Sequence, residues 1–242
     1  MPSPPRTLIV TPTYNERDNL EAFSRDVRRF FPEADLLVVD DASPDGTGAL
    51  ADQLAQEHTW LRVLHRPAKL GIGTAYVEAF TRGLAEGYEL LFEMDADRSH
   101  DPRHLPAFLE AFDQGADVVI GSRNIPGGGV RGWGPGRHLL SKGGSLYSRT
   151  ILGLPIRDLT SGFKGFRREV LEAIALGEVR SEGYSFQIEL TYRAIRQGFR
   201  VAEVPIQFVD RSRGESKMSS TIFAEAVVMV WKLRLDAARG RL

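Results

Sequence analysis

The sequence has 242 residues, of which 42% are hydrophobic and 26% are charged, and its formal net charge at pH 7 is -1. This length suits one large α/β domain with a single core, and the near-neutral charge gives no reason to expect nucleic acid as a partner. The lack of cysteine excludes disulfides, thiolate zinc sites and cysteine nucleophiles. Since the N-terminus also lacks a signal-like apolar segment, we expect a cytoplasmic enzyme.

Short apolar runs alternate with amphipathic stretches in the first half, a pattern typical of βαβ units on a mostly parallel sheet. The predicted strands are residues 8–10, 36–39, 62–65, 90–94 and 118–120. The first helix is predicted over residues 16–31, with Asn15 as its N-cap. Its apolar face contains Leu20, Phe23, Val27, Phe30 and Phe31.

Two glycine-containing segments open the next helices. Residues 43–46 read as a turn before the second helix. Gly71-Ile72-Gly73 invites a dinucleotide-binding interpretation, but Tyr76 stands where that motif requires its third glycine. We therefore predict a close-packed helix start there. A further helix is predicted around residues 105–112.

The second half starts with a glycine-rich segment, residues 127–136, which resembles a mobile active-site loop. Helices are predicted over residues 139–152 and 184–197, and an extended run over 201–209. We expect a single doubly wound α/β domain over residues 1–218, with a nucleotide-binding half up to about residue 125 and an acceptor half over 126–218. Residues 219–242 are predicted to form a C-terminal amphipathic helix.

Carboxylates follow two of the predicted strands. Asp95 and Asp97 come directly after the fourth strand, and their alternate spacing in extended backbone aims both at one point. Such oxygen ligands suit Mg²⁺ or Mn²⁺, with a nucleotide's phosphates completing the coordination. A pair of solvated turn aspartates is the alternative. Asp41, after the second strand, is placed to accept hydrogen bonds from a nucleobase or ribose, whereas Asp45-Gly46 is mainly a turn.

Several cations lie among glycines and serines instead of on helix faces. Arginine offers a bidentate fork to phosphate oxygens and lysine offers a point charge, so the set suggests anionic ligands. Scattered surface charge is the alternative for each one taken alone. The residues are Arg123, Arg137, Arg211, Arg213 and Lys217.

Motifs along nearly the whole chain, from about residue 7 to 219, resemble family 2 glycosyltransferases of the GT-A fold, and among them the dolichol-phosphate (polyprenol-phosphate) mannose synthases. The superfamily motifs are Pro12-Thr13-Tyr14-Asn15-Glu16, residues 38–47, Met94-Asp95-Ala96-Asp97 with His100, and Gly121-Ser122-Arg123. The motifs that narrow the resemblance are residues 158–163, residues 183–189, Glu203-Val204-Pro205-Ile206, Asp210-Arg211 and Gly214-Glu215-Ser216-Lys217.

The resemblance implies roles for individual residues. For the guanosine pocket it implies Pro12, Tyr14, Glu16, Val39 and Asp41, and for the metal and diphosphate centre Asp95, Ala96 and Asp97. Ser99 stands where some members place a glutamine ligand to the metal, so it is a candidate third ligand. For the sugar, the acceptor phosphate and catalysis it implies Arg123, Arg137, Ser141, Arg211 and Lys217, with Asp97 as the catalytic carboxylate.

The reaction implied by the resemblance is inverting transfer of mannose from GDP-mannose to a polyprenyl or dolichyl phosphate, with Mg²⁺ or Mn²⁺ as cofactor. The C-terminal helix would lie on the cytoplasmic face of a membrane, or pack on the domain or on a membrane protein partner. Transfer from a UDP-sugar to the same kind of acceptor and a non-catalytic nucleotide-binding subunit are the alternatives. A dehydrogenase is disfavoured by the broken glycine motif.

Overall fold

The computed structural model describes residues 4–132, 134–179, 181–209 and 220–240, with the backbone alone at residues 135, 137–140 and 220–227. The predictions for Arg211, Arg213 and Lys217, and for the side chain of Arg137, therefore lie outside the described residues. The backbone at Arg137 is helical.

Strands from both halves of the described chain form one seven-stranded sheet. The nine strands are β1 Thr7–Thr13, β2 Asp35–Asp40, β3 Leu61–His65, β4 Leu90–Glu93, β5 Val118–Ser122, β6 Gly129–Arg131, β7 Lys164–Arg167, β8 Val201–Pro205 and β9 Gln207–Val209. The large sheet has the order β3-β2-β1-β4-β7-β5-β8, and β7 alone runs antiparallel to its neighbours β4 and β5. β6 and β9 form a separate parallel pair. This is the predicted mostly parallel α/β architecture.

Helices cover both faces of the sheet. They are α1 Arg17–Phe30, α2 Thr47–Glu57, α3 Ile72–Ala85, α4 Leu105–Asp113, α5 Pro135–Leu152, α6 Arg168–Ala173, α7 Gly183–Arg196 and α8 Ser220–Ala238. Side chains of β1 alternate between the two sides: Leu8 and Val10 join a cluster with α3, α7 and α8, while Ile9 joins a cluster with α1 and α4. A strand buried on both faces explains why the predicted strands are continuous apolar runs.

The predicted elements of the first half are confirmed, with two local corrections. Asn15 does not cap α1; it adopts a left-handed conformation, with φ of 61°, and Glu16 occupies the cap position. Asparagine tolerates this conformation better than most residues, which suits the sharp turn after β1. Phe30 is only partly buried, whereas Phe31 beyond the helix end reaches the core.

The second half differs more from the sequence prediction. Gly129–Arg131 forms strand β6 inside the predicted glycine-rich loop, and α5 begins at Pro135. The extended run predicted over residues 201–209 is two strands in different sheets, separated at Ile206. Strand β7 and helix α6 were not predicted.

Helix α8 carries apolar side chains on two opposite sides. Val230, Leu233 and Ala237 are buried against the domain. A second apolar set lies on the opposite side of the helix and remains exposed. It consists of Val228, Trp231 and Leu235. The predicted single apolar face is thus replaced by a packed face and an exposed one. Within the described residues, no helix is long and apolar enough to span a membrane.

Candidate active site

A cleft of about 310 Å³ lies at the carboxyl ends of β1, β2 and β4. In parallel α/β sheets this edge is where ligands bind. The cleft brings together most of the residues predicted for the nucleotide and metal, namely Pro12, Tyr14, Glu16, Asp41, Asp95, Ala96 and Asp97. Val39 and Ser99 are the exceptions: the Val39 side chain is fully buried in the core beneath the cleft, and Ser99 does not line the cleft.

Hydrogen bonds between the ends of β1 and β2 hold one wall of the cleft. The main-chain N–H of Asn15 donates to Ser43 Oγ at 3.1 Å, and that of Glu16 donates to Thr47 Oγ1 at 3.0 Å. The Asp45 carboxylate accepts from the N–H and hydroxyl of Thr47, at 3.0 and 2.6 Å. Asp45 therefore works as a turn residue, as predicted, and Gly46 takes the left-handed conformation that this turn needs, with φ of 89°.

Asp41 reaches the cleft in partnership with Arg66, a residue that sequence reasoning missed. Arg66 Nη1 donates to Asp41 Oδ1 at 2.8 Å, and its Nη2 donates to Thr74 Oγ1 at 2.6 Å. The arginine side chain is only 2% exposed. Burial raises the pKa of the Asp41 carboxyl, and the Arg66 charge opposes that rise. Arg66 thus fixes the carboxylate against the start of α3.

Replacing Arg66 by lysine is expected to weaken nucleotide binding by ~10-fold, because lysine cannot bridge Asp41 and Thr74 with two donors. Isothermal titration calorimetry with the nucleoside diphosphate measures the change. The maximal rate at saturating donor should change little, since Arg66 acts through Asp41. Glu78→Gln, which removes the exposed partner of the same guanidinium, is the matched control. Equal effects of the two variants would contradict a positioning role for Arg66.

Asp95 and Asp97 follow β4 and share the cleft. Their main chain is held locally: the N–H of Asp95 donates to His100 Nδ1 at 3.0 Å, and the N–H of Ser99 donates to Asp97 Oδ1 at 3.0 Å. His100 is buried and stacks on Phe163, with ring centroids 5.2 Å apart. Its Nδ1 is therefore occupied in orienting Asp95.

The residues present fit a divalent cation that also binds phosphate. Asp95 and Asp97 line the cleft together, and within the described chain no third Asp, Glu, His or Cys side chain forms a metal-binding group of three with them. Ser99 Oγ is buried without a hydrogen-bond partner, although Ser99 is not among the residues that line the cleft. Its role as a third ligand stays a prediction. Hard oxygen ligands completed by phosphate and water are what Mg²⁺ or Mn²⁺ accepts.

A buried polar cluster supports the end of β4 from below. Gln187 donates its side-chain N–H to Glu93. Lys164 Nζ donates to the main-chain carbonyl of Gln187 at 2.6 Å and to Thr191 Oγ1 at 3.0 Å. Burial raises the pKa of Glu93 to about 7, although the Lys164 charge counteracts this shift. The cluster connects β4, β7 and α7 directly behind the two aspartates.

Lys69, Glu182 and Gly183 also line the cleft, and the sequence analysis gave none of them a role there. Lys69 Nζ lies 4.3 Å from the centre of the Tyr14 ring. Glu182 accepts the N–H of Gly73 at 3.1 Å, and Gly183 lies beside it in the cleft. A Cβ at Gly71 would come within 2.5 Å of the Glu182 carboxylate. The predicted close-packed helix start is therefore confirmed, and Glu182 is the side chain that packs against it.

Arg123 is paired with Asp158, a contact that the sequence analysis did not predict. Its guanidinium is buried and makes two hydrogen bonds of 2.7 Å with Asp158, one from Nε and one from Nη2. The main-chain N–H of Arg123 also donates to Asp158, at 2.9 Å. Arg123 and Ser141 line a small pocket beside the nucleotide cleft without lining the cleft itself. Their proposed contacts with the acceptor phosphate stay predictions.

A mostly parallel sheet with a carboxylate pair in a nucleotide-sized cleft at its carboxyl edge defines a GT-A glycosyltransferase. The chain belongs to glycosyl transferase family 2, whose sequence model matches residues 8–175. It is 52% identical to the polyprenol monophosphomannose synthase of Mycolicibacterium smegmatis, over 97% of this chain and 91% of that protein. It is 50% identical to the undecaprenyl-phosphate mannosyltransferase of Micrococcus luteus, over 98% of this chain and 99% of that protein.

Solved structures agree on the fold. Glucosyl-3-phosphoglycerate synthase from Mycobacterium tuberculosis, in complex with Mn²⁺, UDP-glucose and phosphoglyceric acid, aligns with a TM-score of 0.67. The alignment covers 95% of this chain and 80% of that one, at 18% identity. At this level of identity the likeness establishes the architecture alone.

Proposed function

We propose that this glycosyltransferase moves mannose from GDP-mannose to a polyprenyl phosphate, with inversion at the anomeric carbon. The observation that carries the proposal is the cleft that joins Asp41 to the Asp95–Asp97 pair. Two relatives at 50% and 52% identity, both named for mannosyl transfer to a polyprenyl carrier, support the choice of sugar and acceptor.

The donor would lie along the cleft, with its base at one end and its diphosphate at the other. Asp41 would accept hydrogen bonds from the base, and guanine presents a ring N–H and an exocyclic amino N–H side by side. Tyr14 offers an aromatic face next to Lys69. Asp95 and Asp97 would hold Mg²⁺ or Mn²⁺, which offsets the charge that develops on the departing diphosphate.

The acceptor needs positioning more than activation. A phosphate monoester has its second pKa near ~6, so it is already largely dianionic at neutral pH. Its oxygen attacks the anomeric carbon as the bond from that carbon to the diphosphate oxygen breaks, and GDP leaves with the electron pair. No base is needed for this step, in keeping with the use of His100 Nδ1 to hold Asp95. Arg123, Arg137, Ser141, Arg211 and Lys217 are the proposed contacts for the sugar and the acceptor phosphate.

Nucleotide selectivity and transfer together test this function. GDP and GDP-mannose with Mn²⁺ should stabilise the protein by about 2.7 kcal/mol at a concentration of about 100 Kd, whereas UDP should have little effect. Thermal unfolding measures the difference, and transfer of radiolabelled mannose to a short polyprenyl phosphate measures activity. Stabilisation by UDP alone would favour the UDP-sugar alternative. Binding without any transfer would favour a non-catalytic nucleotide-binding subunit.

A peripheral position at the cytoplasmic membrane surface belongs to the same proposal, because a polyprenyl phosphate resides in a bilayer. The exposed face of α8, formed by Val228, Trp231 and Leu235, supports it. Lys232 on the same helix and Arg239 directly after its end are also exposed. An apolar strip with tryptophan and flanking cations is the composition of an interfacial helix. A membrane protein partner would bind the same face.

A further inference from the structure

A second cavity, of about 590 Å³, opens beside the outer surface of α5. It lies between this helix and the chain that follows β5, and it shares no lining residue with the nucleotide cleft. We call it the cationic groove, after the three basic residues Lys142, Arg149 and Arg157 that line it. Neither the sequence motifs nor the proposed reaction uses these three residues.

The groove has an uncompensated positive charge. The fourth cation that lines it, Arg123, is neutralised by Asp158. The three that define the groove make no ion pair with a carboxylate in the part of the chain that the structure describes, and no Asp or Glu lines the cavity. The carboxylate of Glu203 is engaged by the main chain beside the groove: it accepts the N–H groups of Arg157 and Asp158, both at 2.9 Å. In a chain of net charge -1, this local excess favours an anionic ligand.

An apolar side chain stands among the cations. Leu146 is 60% exposed, and its position four residues after Lys142 and three before Arg149 puts the three on one strip of α5. Ile125 and Pro126 line the opposite wall. Cations interleaved with exposed apolar groups match an amphiphile, which has an anionic headgroup and a hydrocarbon part, better than a fully soluble anion.

We propose that the cationic groove binds the phosphate headgroup of an anionic phospholipid in the bilayer that carries the acceptor. The inference rests on the proposed function, since it is the lipid acceptor that brings the enzyme to a membrane. The acceptor's own phosphate has its own proposed contacts in a smaller pocket, which adjoins the groove and shares Arg123 and Lys142 with it. The headgroup contact orients the domain at the surface and leaves the acceptor phosphate to the smaller pocket of Arg123 and Ser141.

Sedimentation with phosphatidylcholine vesicles, with and without phosphatidylglycerol, tests the proposal. The double variant Arg149→Gln/Arg157→Gln should lower the partition coefficient on phosphatidylglycerol vesicles by ~10-fold or more, since each cation near an anionic surface contributes to binding. The charge-matched control Arg25→Gln/Arg29→Gln, on exposed positions of α1, should lower it by less than ~2-fold. Arg149→Lys/Arg157→Lys should retain binding, and Leu146→Gln should weaken it without a change in charge.

Transfer to a water-soluble short-chain polyprenyl phosphate, without vesicles, separates the two possible sources of phosphate. The proposal requires the same KM for this acceptor in the Arg149→Gln/Arg157→Gln variant and the wild type. A several-fold higher KM would mean that the groove holds the acceptor itself, and would overturn the proposal. Equal loss of vesicle binding in the groove and α1 variants would also overturn it. If the wild type transferred no mannose but the variants changed vesicle binding as expected, the proposed function would be wrong and the lipid site would still be supported.

Discussion

Asp97→Ala is expected to lower the rate of mannosyl transfer by at least ~10²-fold. Asp97 lines the cleft beside Asp95 at the end of β4, where the donor's diphosphate would bind. Loss of one of two carboxylates removes a metal ligand, and with it stabilisation of the charge that forms on the leaving group. Initial rates with GDP-mannose and a short polyprenyl phosphate, over a titration of Mn²⁺, give the effect and its metal dependence.

Two comparisons make this test specific. Asp113→Ala removes an exposed carboxylate at the end of α4 and should leave the rate within ~2-fold of the wild type. Asp97→Asn preserves shape and should lose activity nearly as severely as Asp97→Ala, because a neutral amide is a poor ligand for a hard cation. An unchanged rate in either Asp97 variant would remove the metal assignment.

Asp158→Ala is expected to lower the free energy of unfolding by about 3–5 kcal/mol. The variant leaves the Arg123 guanidinium buried without its two hydrogen bonds to the Asp158 carboxylate, and it also leaves the Arg123 main-chain N–H without that acceptor. Chemical denaturation measures the loss. Glu172→Ala, which breaks the exposed Arg168–Glu172 pair on α6, should cost no more than about 1 kcal/mol. The double variant Arg123→Met/Asp158→Leu should recover much of the stability, since no charge stays buried.

The same pair predicts a direction for acid sensitivity. Burial alone would raise the pKa of Asp158, but the Arg123 charge and hydrogen bonds lower it below its ordinary value of 3.8. A carboxyl whose pKa is depressed on folding stabilises the protein fully above the unfolded pKa. That contribution is lost as the pH falls below 3.8 through the folded pKa. The free energies of unfolding of the wild type and Asp158→Ala should therefore converge as the pH falls through this range. A difference that stays constant would contradict the coupling of Asp158 to Arg123.

The first half of the fold and most of the nucleotide cleft were predictable from sequence. Buried parallel strands are apolar on both faces, so they stand out as runs, and polar residues at their ends lie on one edge. Asp41, Asp95 and Asp97 were found in this way. The side chain of Val39 is fully buried in the core, so its predicted part in the nucleotide pocket stays a prediction.

The site residues that the sequence analysis missed are not marked by a polar cluster at the end of an apolar strand. The third strand did not end in an obvious polar cluster, yet Arg66 and Lys69 lie five and eight residues beyond its start and both serve the cleft. Glu182 arrives from a loop 109 residues beyond Gly73, so the contact between the two depends on tertiary packing alone. Strand β7 begins with Lys164 and Gly165, which have low strand propensity, and only its two flanking strands make it a strand.

The reversed strand β7 has a consequence for how the protein folds. It comes from the predicted acceptor half, yet it is hydrogen-bonded between β4 and β5 of the predicted nucleotide half. Without β7, the inner edges of both those strands would be left with unpaired main-chain groups in the centre of the sheet. The two halves are therefore one cooperative unit. Heat should unfold them in a single calorimetric transition, and a fragment ending near residue 125 should not be able to fold alone.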